Sequence, residues 1–391
     1  MRSSTLAIAV ACCASLSCTS ATSHGDGSGG QPGGSGGSNG GIGGASGSGA
    51  GTGGAGAGTG GRTGAGGGGP GTGGATGTGG ATAAWSCPPG PFPTAFIPAG
   101  ATPVRVTGLP PADAFNNNGN DFGNIEGPVW IGDSLYVSEI ANGNGNIPPA
   151  RILKVTAGVV SIAIADSGSN GLAVDASGSL LSANHKVGGI VRFSLPAGTP
   201  TTVVATYNSA RFDSPNDLAV ARDGTIFFSD PDHQAGNPRP QPQTRVYRVA
   251  AGSNVATPVT DYMNEPNGIT LSLDEKTLFV SGGNGVFKYP INSNGTVGAG
   301  VQIVSAAVDG MAMDCAGHLY GAVINQTYVI AIDSGATAIA PELGRINVAG
   351  GLQAVTNVAF GGADHLTIYI TGLGNQKGLF QMQVAVPGMP Y

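Results

Sequence analysis

One pattern, repeated along the chain, constrains the fold most. A polar residue is followed by a short apolar run, an Asp/Gly turn and a second apolar run. Successive copies begin 42 to 51 residues apart, and most are followed by two further strand-like runs. Four strands in a period of about 45 residues are typical of a β-propeller blade. The copies begin at Glu126, Asn170, Asn216, Asn267, Asp309 and Asn357.

These six copies predict an all-β fold, a six-bladed β-propeller that spans residues 87–391. Helical periodicity is almost absent from this region, and short β-branched and aromatic runs alternate with Gly, Asn, Asp and Pro. The last unit contains only three strand-like runs. We therefore expect residues 102–106 (TPVRV) to supply its fourth strand and close the ring without an open edge.

Two segments precede the predicted propeller. Residues 1–24 carry one Arg, a short apolar run and small residues, which predicts a secretory signal too short to span a membrane. Cys18 resembles a bacterial lipid-attachment cysteine, although Cys12 and Cys13 compete with it and a simply cleaved signal is the alternative. Residues 25–83 are rich in Gly and Ser and are expected to be a disordered linker. We therefore expect export, as a cell-envelope lipoprotein or a secreted protein.

Charge and cysteine content narrow the possible partners. The net charge is −6 without a basic stripe, so no nucleic-acid partner is expected, and we expect a monomer. Outside the signal only Cys87 and Cys315 remain. In an exported protein they are expected to form a disulfide, and two free thiols are the alternative.

The six repeat-opening residues share a chemical property: each carries a side-chain oxygen. In an up-and-down propeller every first strand starts on the same face near the axis, so these residues should converge. Turn capping is the alternative explanation. Crowding the carboxylates of Glu126 and Asp309 among amides would cause repulsion that a cation relieves. We predict one divalent metal, with Ca²⁺ favoured by oxygen ligands and Zn²⁺ or Mn²⁺ as alternatives.

The same geometry sorts the histidines. His185 and His233 follow second strands and are predicted to lie on the face that carries the converging oxygens. His318 and His365 belong to turns between first and second strands, on the opposite face. His185 and His233 are therefore the candidates for chemistry, and an exposed loop position is the alternative for each.

Several segments resemble the SMP-30/gluconolactonase/LRE-like family, and its bacterial gluconolactonase branch in particular. They are EGPVW, SPNDLAV, PNGITLSLDEKTLFVSG and DGMAMDCAGHLY, and the resemblance covers about residues 120–375. It implies a six-bladed propeller with one divalent metal in its channel. It also implies that Glu126, Asn267 and Asp309 are metal ligands, that Asn216 binds the metal or else its water and substrate, and that His185 is a family loop histidine. Ser214 departs from the Arg that some sugar-lactone members carry, and Glu139 departs from a frequent Asp.

The predicted function is metal-dependent hydrolysis of a lactone, such as gluconolactone, or of a related ester. The metal would polarise the carbonyl, and Asp309 or His185 would take a proton from the attacking water. Asn170, Asn357 and His233 are predicted to contact the substrate. The alternative is a non-catalytic, metal-stabilised propeller that binds a sugar or a protein.

Overall fold

Every regular element in the described part of the chain is a β-strand. The computed structural model describes residues 85–110, 124–140, 150–374 and 378–389. Within those ranges there is no helix long and apolar enough to cross a membrane. The predicted signal (1–24) and the whole of the predicted linker (25–83) lie outside the described residues, as does the lipid-attachment candidate Cys18.

The strands are short, as the spacing of the apolar runs requires. In chain order they are β1 Val104–Arg105, β2 Asn124–Ile131, β3 Ser134–Ile140, β4 Ala150–Thr156, β5 Val159–Ile164, β6 Ser169–Val174, β7 Leu180–Asn184, β8 Gly189–Ser194, β9 Thr199–Val204, β10 Thr206–Tyr207, β11 Ala210–Arg211, β12 Leu218–Val220, β13 Ile226–Asp230, β14 Arg245–Val249, β15 Ala256–Pro258, β16 Ile269–Leu271, β17 Thr277–Gly282, β18 Gly285–Pro290, β19 Val301–Val304, β20 Val308–Met313, β21 His318–Val323, β22 Tyr328–Asp333, β23 Gly344–Asn347, β24 Leu352–Gly361, β25 Thr367–Gly374 and β26 Gly378–Gln383.

The sheets follow the repeat, with one difference from the expected six separate blades. Strands β6–β9, β12–β15, β16–β19 and β20–β23 form four separate four-stranded antiparallel sheets. The first unit (β2–β5) and the last unit (β24–β26 with β1) share one eight-stranded sheet. The two units are joined by a single residue pairing between β2 and β25, Asn124 with Leu373. The arrangement is propeller-like, with four blades that stand as separate sheets.

The N-terminal strand completes the last unit, which confirms the expectation drawn from residues 102–106. Strand β1 pairs antiparallel with β26, with Val104 opposite Gln381 and Arg105 opposite Phe380. The Arg105 guanidinium also lies 4.5 Å from the centre of the Phe380 ring. The chain therefore covers the edge of β26 with its own first strand.

The hydrophobic core is divided into clusters that each join two consecutive units. The cluster between the fourth and fifth units, for example, packs Phe279 and Val286 against Leu319 and Ile330. Equivalent clusters lie between the other neighbours. A further cluster joins the last unit back to the first through side chains of β25, β26, β2 and β3. Burial of these faces against one another holds the units in a ring.

The segment before β1 is fixed to the later units. Cys87 and Cys315 form a disulfide with their Cα atoms 5.5 Å apart. Phe96 stacks on His318 with ring centres 4.0 Å apart, and Trp85 stacks on His365 at 4.3 Å. His365 lies in the connection between β24 and β25, whereas His318 is the first residue of β21, and both rings are engaged in packing.

Candidate functional site

The repeat-opening residues lie where the first strands depart from regular pairing. Strands β12 and β16 begin only after the openings of the third and fourth units. In the other four units the pairing register shifts at the opening. An irregularity of this kind removes residues from the ladder and redirects their side chains. The shifts fall between Glu126 and Val129, Ser169 and Leu172, Val308 and Met311, and Val355 and Val358.

Backbone hydrogen bonds join the opening of one unit to the opening of the next. The Gly171 amide donates to the Asn216 carbonyl over 2.7 Å. Likewise, the Gly268 amide donates to the Asp309 carbonyl over 3.0 Å. These contacts bring the second unit against the third and the fourth against the fifth at their first residues.

Glycine at the second position of the repeat allows an even closer approach. A Cβ at Gly127 would lie 2.5 Å from the Asn170 carbonyl oxygen, and one at Gly310 would lie 1.9 Å from the Asn357 side chain. At both positions an added Cβ would overlap the neighbouring atoms, so only glycine fits. The Asn357 side chain in turn hydrogen-bonds Glu126, so the last unit contacts the first. The openings therefore form a ring of neighbours.

Glu126 and Asp309 face each other in this ring and are close enough to interact electrostatically. Burial, followed by the negative charges of Asp309 and Asp217, raises the pKa of Glu126 well above its usual range. Burial, followed by the charge of Asp217, raises the pKa of Asp309 to about 8, and Asn267 donates a hydrogen bond to it. The hydrogen bonds that these two carboxyls accept do not offset the cost of charging them in this buried cluster.

Asp217 is a third carboxyl of this cluster, and the sequence analysis missed it. Its Oδ1 accepts from the Leu218 amide over 2.9 Å, and its Oδ2 faces the Ile269 amide at 3.4 Å. Asn357 also donates to it, and burial raises its pKa to about 7. A signal was available: four of the other units carry Gly at the second position, where the third unit carries Asp217.

The chemistry of these donors fits a hard cation. The Asn267 Oδ1 atom is buried without a hydrogen-bond partner in the described part of the chain. It belongs to the side chain that contacts Asp309. An orphaned amide oxygen beside crowded carboxylates is an oxygen-only donor set of the kind Ca²⁺ takes. Within the described ranges no group of three or more His, Cys, Asp or Glu is arranged to hold a metal. The amide oxygens are therefore needed to complete the predicted ligand set.

The channel beneath the carboxyl cluster is largely apolar. Asp217 and Asn357 border it, and aliphatic and Met side chains of the first strands line the remainder, including Leu172, Leu271 and Met313. This lining gives Asp217 an environment of low polarity on one side, which agrees with burial being the largest influence on its pKa.

His185 and Asn170 form a pair next to the carboxyl cluster. His185 directly follows β7 and is 2% exposed, and its Nε2 lies 3.3 Å from the Asn170 Nδ2. Burial, then the nearby His233 and Arg211, lowers the pKa of His185 to about 4, while the Pro215 carbonyl accepts a bond from the ring. The imidazole is therefore neutral at pH 7, with the proton on Nδ1 and the Nε2 lone pair toward Asn170.

His233 and Asn216 lie nearer the solvent. Both are partly exposed. Burial lowers the pKa of His233, while Glu265 and Asp232 act in the opposite direction. The backbone of Asn216 is held by Ser229, whose carbonyl accepts from its amide over 3.0 Å. The structure therefore places His233 within electrostatic range of His185 and fixes the backbone of Asn216 among the opening residues.

A buried polar network fixes the loop that leads to Asn216. The Asp230 carboxyl accepts from the amides of Asp213 and Ser214 over 3.1 and 2.8 Å. Burial raises the pKa of Asp230 to about 8. Asp213 in turn pairs with Arg239 at 2.7 Å. The Ser214 hydroxyl donates to the Pro231 carbonyl over 2.7 Å, so this departure from the sugar-lactone pattern is a structural residue.

The second departure, Glu139, is also structural. Its carboxylate forms an ion pair with Arg151, and both side chains are almost completely buried. Residues 139 and 151 are opposite one another in the β3–β4 pairing. The pair therefore fixes the adjoining ends of β3 and β4 and does not contribute a free charge to the site.

Comparisons with known proteins agree with this geometry. Residues 125–374 match the family model described as the SMP-30/Gluconolactonase/LRE-like region. A gluconolactonase of Zymomonas mobilis is 25% identical over 246 residues, which cover 53% of this chain and 67% of that protein. The pentonolactonase XacC of Haloferax volcanii is 29% identical over 211 residues, covering 46% of this chain and 68% of that protein.

A solved structure shares the fold along most of the domain. The gluconolactonase from Xanthomonas campestris superposes with a TM-score of 0.58 and 25% sequence identity. The match covers 72% of this chain and 97% of that one. The family model, which matches residues 125–374, includes all six repeat-opening residues.

Proposed function

The chain belongs to the SMP-30/gluconolactonase/LRE-like family, and from this premise we propose that it is a metal-dependent hydrolase that opens a lactone ring. Lactonase-type relatives at modest identity support a hydrolase that acts on a small-molecule lactone. The observation that carries the proposal is the meeting of Glu126, Asp309 and Asn267 at one point of the ring.

We propose that the ring has six blades, with the shared eight-stranded sheet counting as two. The support is the core, whose six clusters each lie between consecutive units. A single residue pair is a narrow link between two otherwise complete sets of four strands.

The residues that would hold a divalent cation are Glu126, Asn216, Asn267 and Asp309. Their donors are carboxylate and amide oxygens, which favour Ca²⁺, with Zn²⁺ or Mn²⁺ as alternatives. A cation bound there would polarise the lactone carbonyl and stabilise the oxyanion that forms on water attack. The raised pKa values of Glu126 and Asp309 support this assignment, since the cluster as built from protein alone disfavours its own ionisation.

The chain's own side chains would bind the lactone and move the proton. The two candidates for accepting the proton of the attacking water are the Asp309 carboxylate and the neutral His185 imidazole through Nε2. Asn170 orients that imidazole by its contact with Nε2. Asn357 contacts two carboxyls, which favours a role in positioning them. Contact of Asn170, Asn357 and His233 with the substrate stays a prediction.

We propose that the protein works outside the cytoplasm as a monomer, either lipid-anchored or secreted. The disulfide between Cys87 and Cys315 supports this, because such bonds persist in oxidising compartments. Fractionation of the native cells, with and without Cys18→Ala, tests it. A wild-type protein found in the cytoplasm would contradict export.

A lactone panel separates the proposed enzyme from a sugar- or protein-binding propeller. Proton release from gluconolactone, a pentonolactone and a homoserine lactone would be followed with a pH indicator, with and without chelator. Metal binding would be measured separately by calorimetry. Metal-dependent turnover supports the hydrolase, and metal binding without turnover of any lactone favours the binding propeller.

A further inference from the structure

The mouth of the site, formed by the partly exposed Asn216, His233 and Glu265, carries an acidic side chain that has no basic partner among the described residues. Glu265 lies in the loop before β16, two residues ahead of Asn267, and its backbone adopts the left-handed region at φ 45°. Its Oε2 lies 2.7 Å from where a Cβ at Gly283 would be, so Gly283 leaves room for this side chain. Among the described residues Glu265 forms no salt bridge.

Glu265 lies close to one histidine of the site, His233. It interacts electrostatically with His233, and His233 interacts with His185. Glu265 is also partly exposed, so its charge acts on a molecule that enters the mouth. Because His233 is mostly neutral at pH 7 by the direction of its pKa shift, it does not cancel that charge.

The basic side chains around the mouth are largely engaged by other groups. Arg239 pairs with Asp213 at 2.7 Å and with Asp232 at 2.8 Å, which leaves this triad with a net negative charge. Lys186 is paired with Asp166. Arg211 is the cation nearest His185, and it donates to the His185 carbonyl over 2.7 Å. Glu265 therefore carries a charge that no salt bridge offsets among the described residues, whereas Asp213 and Asp232 share Arg239.

Lactone hydrolysis changes the charge of the bound molecule. Water adds to the carbonyl carbon, the ring C–O bond breaks, and the ring oxygen leaves as a hydroxyl group. The product is a hydroxy acid that ionises at neutral pH and releases a proton. A neutral lactone thus enters, and an anion must leave past Glu265.

We propose that Glu265 is a specificity-determining residue that favours neutral polyhydroxylated lactones and disfavours ligands that carry a carboxylate, including the hydrolysis product. This inference rests on the proposed function. The carboxylate accepts hydrogen bonds from sugar hydroxyls and repels a second carboxylate. Repulsion between two like charges near a protein surface amounts to about three- to tenfold in affinity.

The test compares Glu265→Gln with wild type. D-Gluconate binding is measured by calorimetry, and kcat/KM is measured for neutral D-glucono-1,5-lactone and for a lactone that carries a carboxylate. Glutamine keeps the size and one acceptor oxygen but removes the charge. Glu342→Gln is the matched control, because Glu342 is an exposed acid in the connection between β22 and β23, remote from the mouth.

We expect Glu265→Gln to bind gluconate about three- to tenfold more tightly and to shift the kcat/KM ratio toward the carboxylate-bearing lactone by a similar factor. The difference should shrink at about 0.5 M salt, where charges are screened, and Glu342→Gln should behave as wild type. Unchanged gluconate affinity in Glu265→Gln, or no gluconate binding by either protein, would overturn the inference. Failure of wild type to hydrolyse any lactone would instead overturn the proposed function, and gluconate binding would still decide the role of Glu265.

Discussion

Replacing Asp217 with Asn should stabilise the metal-free protein at neutral and alkaline pH. Asp217 is 6% exposed, and burial is the largest influence that raises its pKa from 3.8 to about 7. The unfolded chain ionises this group at a lower pH than the folded chain does. Stability is therefore lost as the pH rises from about 4 through 7, and the loss is constant above that.

The size of the effect follows from the same shift. A rise in pKa from 3.8 to about 7 costs about 4 kcal/mol of folding free energy once the pH exceeds 7. Asparagine avoids this cost, keeps one oxygen for the Leu218 amide and loses the 3.4 Å contact with the Ile269 amide. That loss costs about 1 kcal/mol. The net gain should be about 3 kcal/mol at pH 8, and near pH 4, where the cost of ionisation is almost gone, the lost contact should leave Asp217→Asn slightly less stable than wild type.

Denaturant unfolding of the chelator-treated protein at pH 4 and pH 8 measures this gain. Glu342→Gln serves as the control, because an exposed ion pair contributes about 0–1 kcal/mol. Added Ca²⁺ should reduce the advantage of Asp217→Asn, since a nearby cation stabilises the wild-type carboxylate. If Asp217→Asn is no more stable than wild type at pH 8 without metal, the reasoning about a costly buried charge is wrong.

Three further predictions address catalysis and stability. Asp309→Asn should abolish lactone hydrolysis while its unfolding, followed by circular dichroism, stays cooperative. If the variant hydrolyses the lactone at the wild-type rate, Asp309 is not an essential group. His185→Gln should lower kcat/KM by about a hundredfold or more without changing Ca²⁺ affinity in calorimetry; an unchanged rate would remove His185 from the mechanism. Cys87→Ala should lower the free energy of unfolding by about 2–4 kcal/mol in a denaturant titration, as should Cys315→Ala, because the bond closes a loop of 228 residues; equal stability with and without reductant would contradict this.

The repeat register could be read from the sequence because a propeller uses one strand pattern many times. The strand spacing and the closing strand β1 follow from it, and so does the prediction that the opening residues lie near one another. The merging of the first and last units into one sheet depends on a single backbone contact between Asn124 and Leu373. No side-chain pattern encodes such a contact.

The site was only partly predictable for a related reason. A register argument selects one position per unit, and Asp217 occupies the next position along. The orientation of the Asp217 side chain depends on where the Leu218 and Ile269 amides lie, and their positions are a property of the folded ring. The role proposed for Glu265 could not be predicted from the sequence either. It depends on the lack of a salt bridge to Glu265 among the described residues, not on its place in the repeat.

Calorimetric titration of chelator-treated protein with Ca²⁺ tests the central claim most directly, since it does not depend on knowing the substrate. The account predicts one site per wild-type chain and at least about a tenfold loss of affinity in Glu126→Gln, because a buried carboxylate that interacts electrostatically with Asp309 would be removed. Glu342→Gln should bind as wild type does. A wild-type protein that binds no divalent cation, or a Glu126→Gln variant with unchanged affinity, would contradict the account.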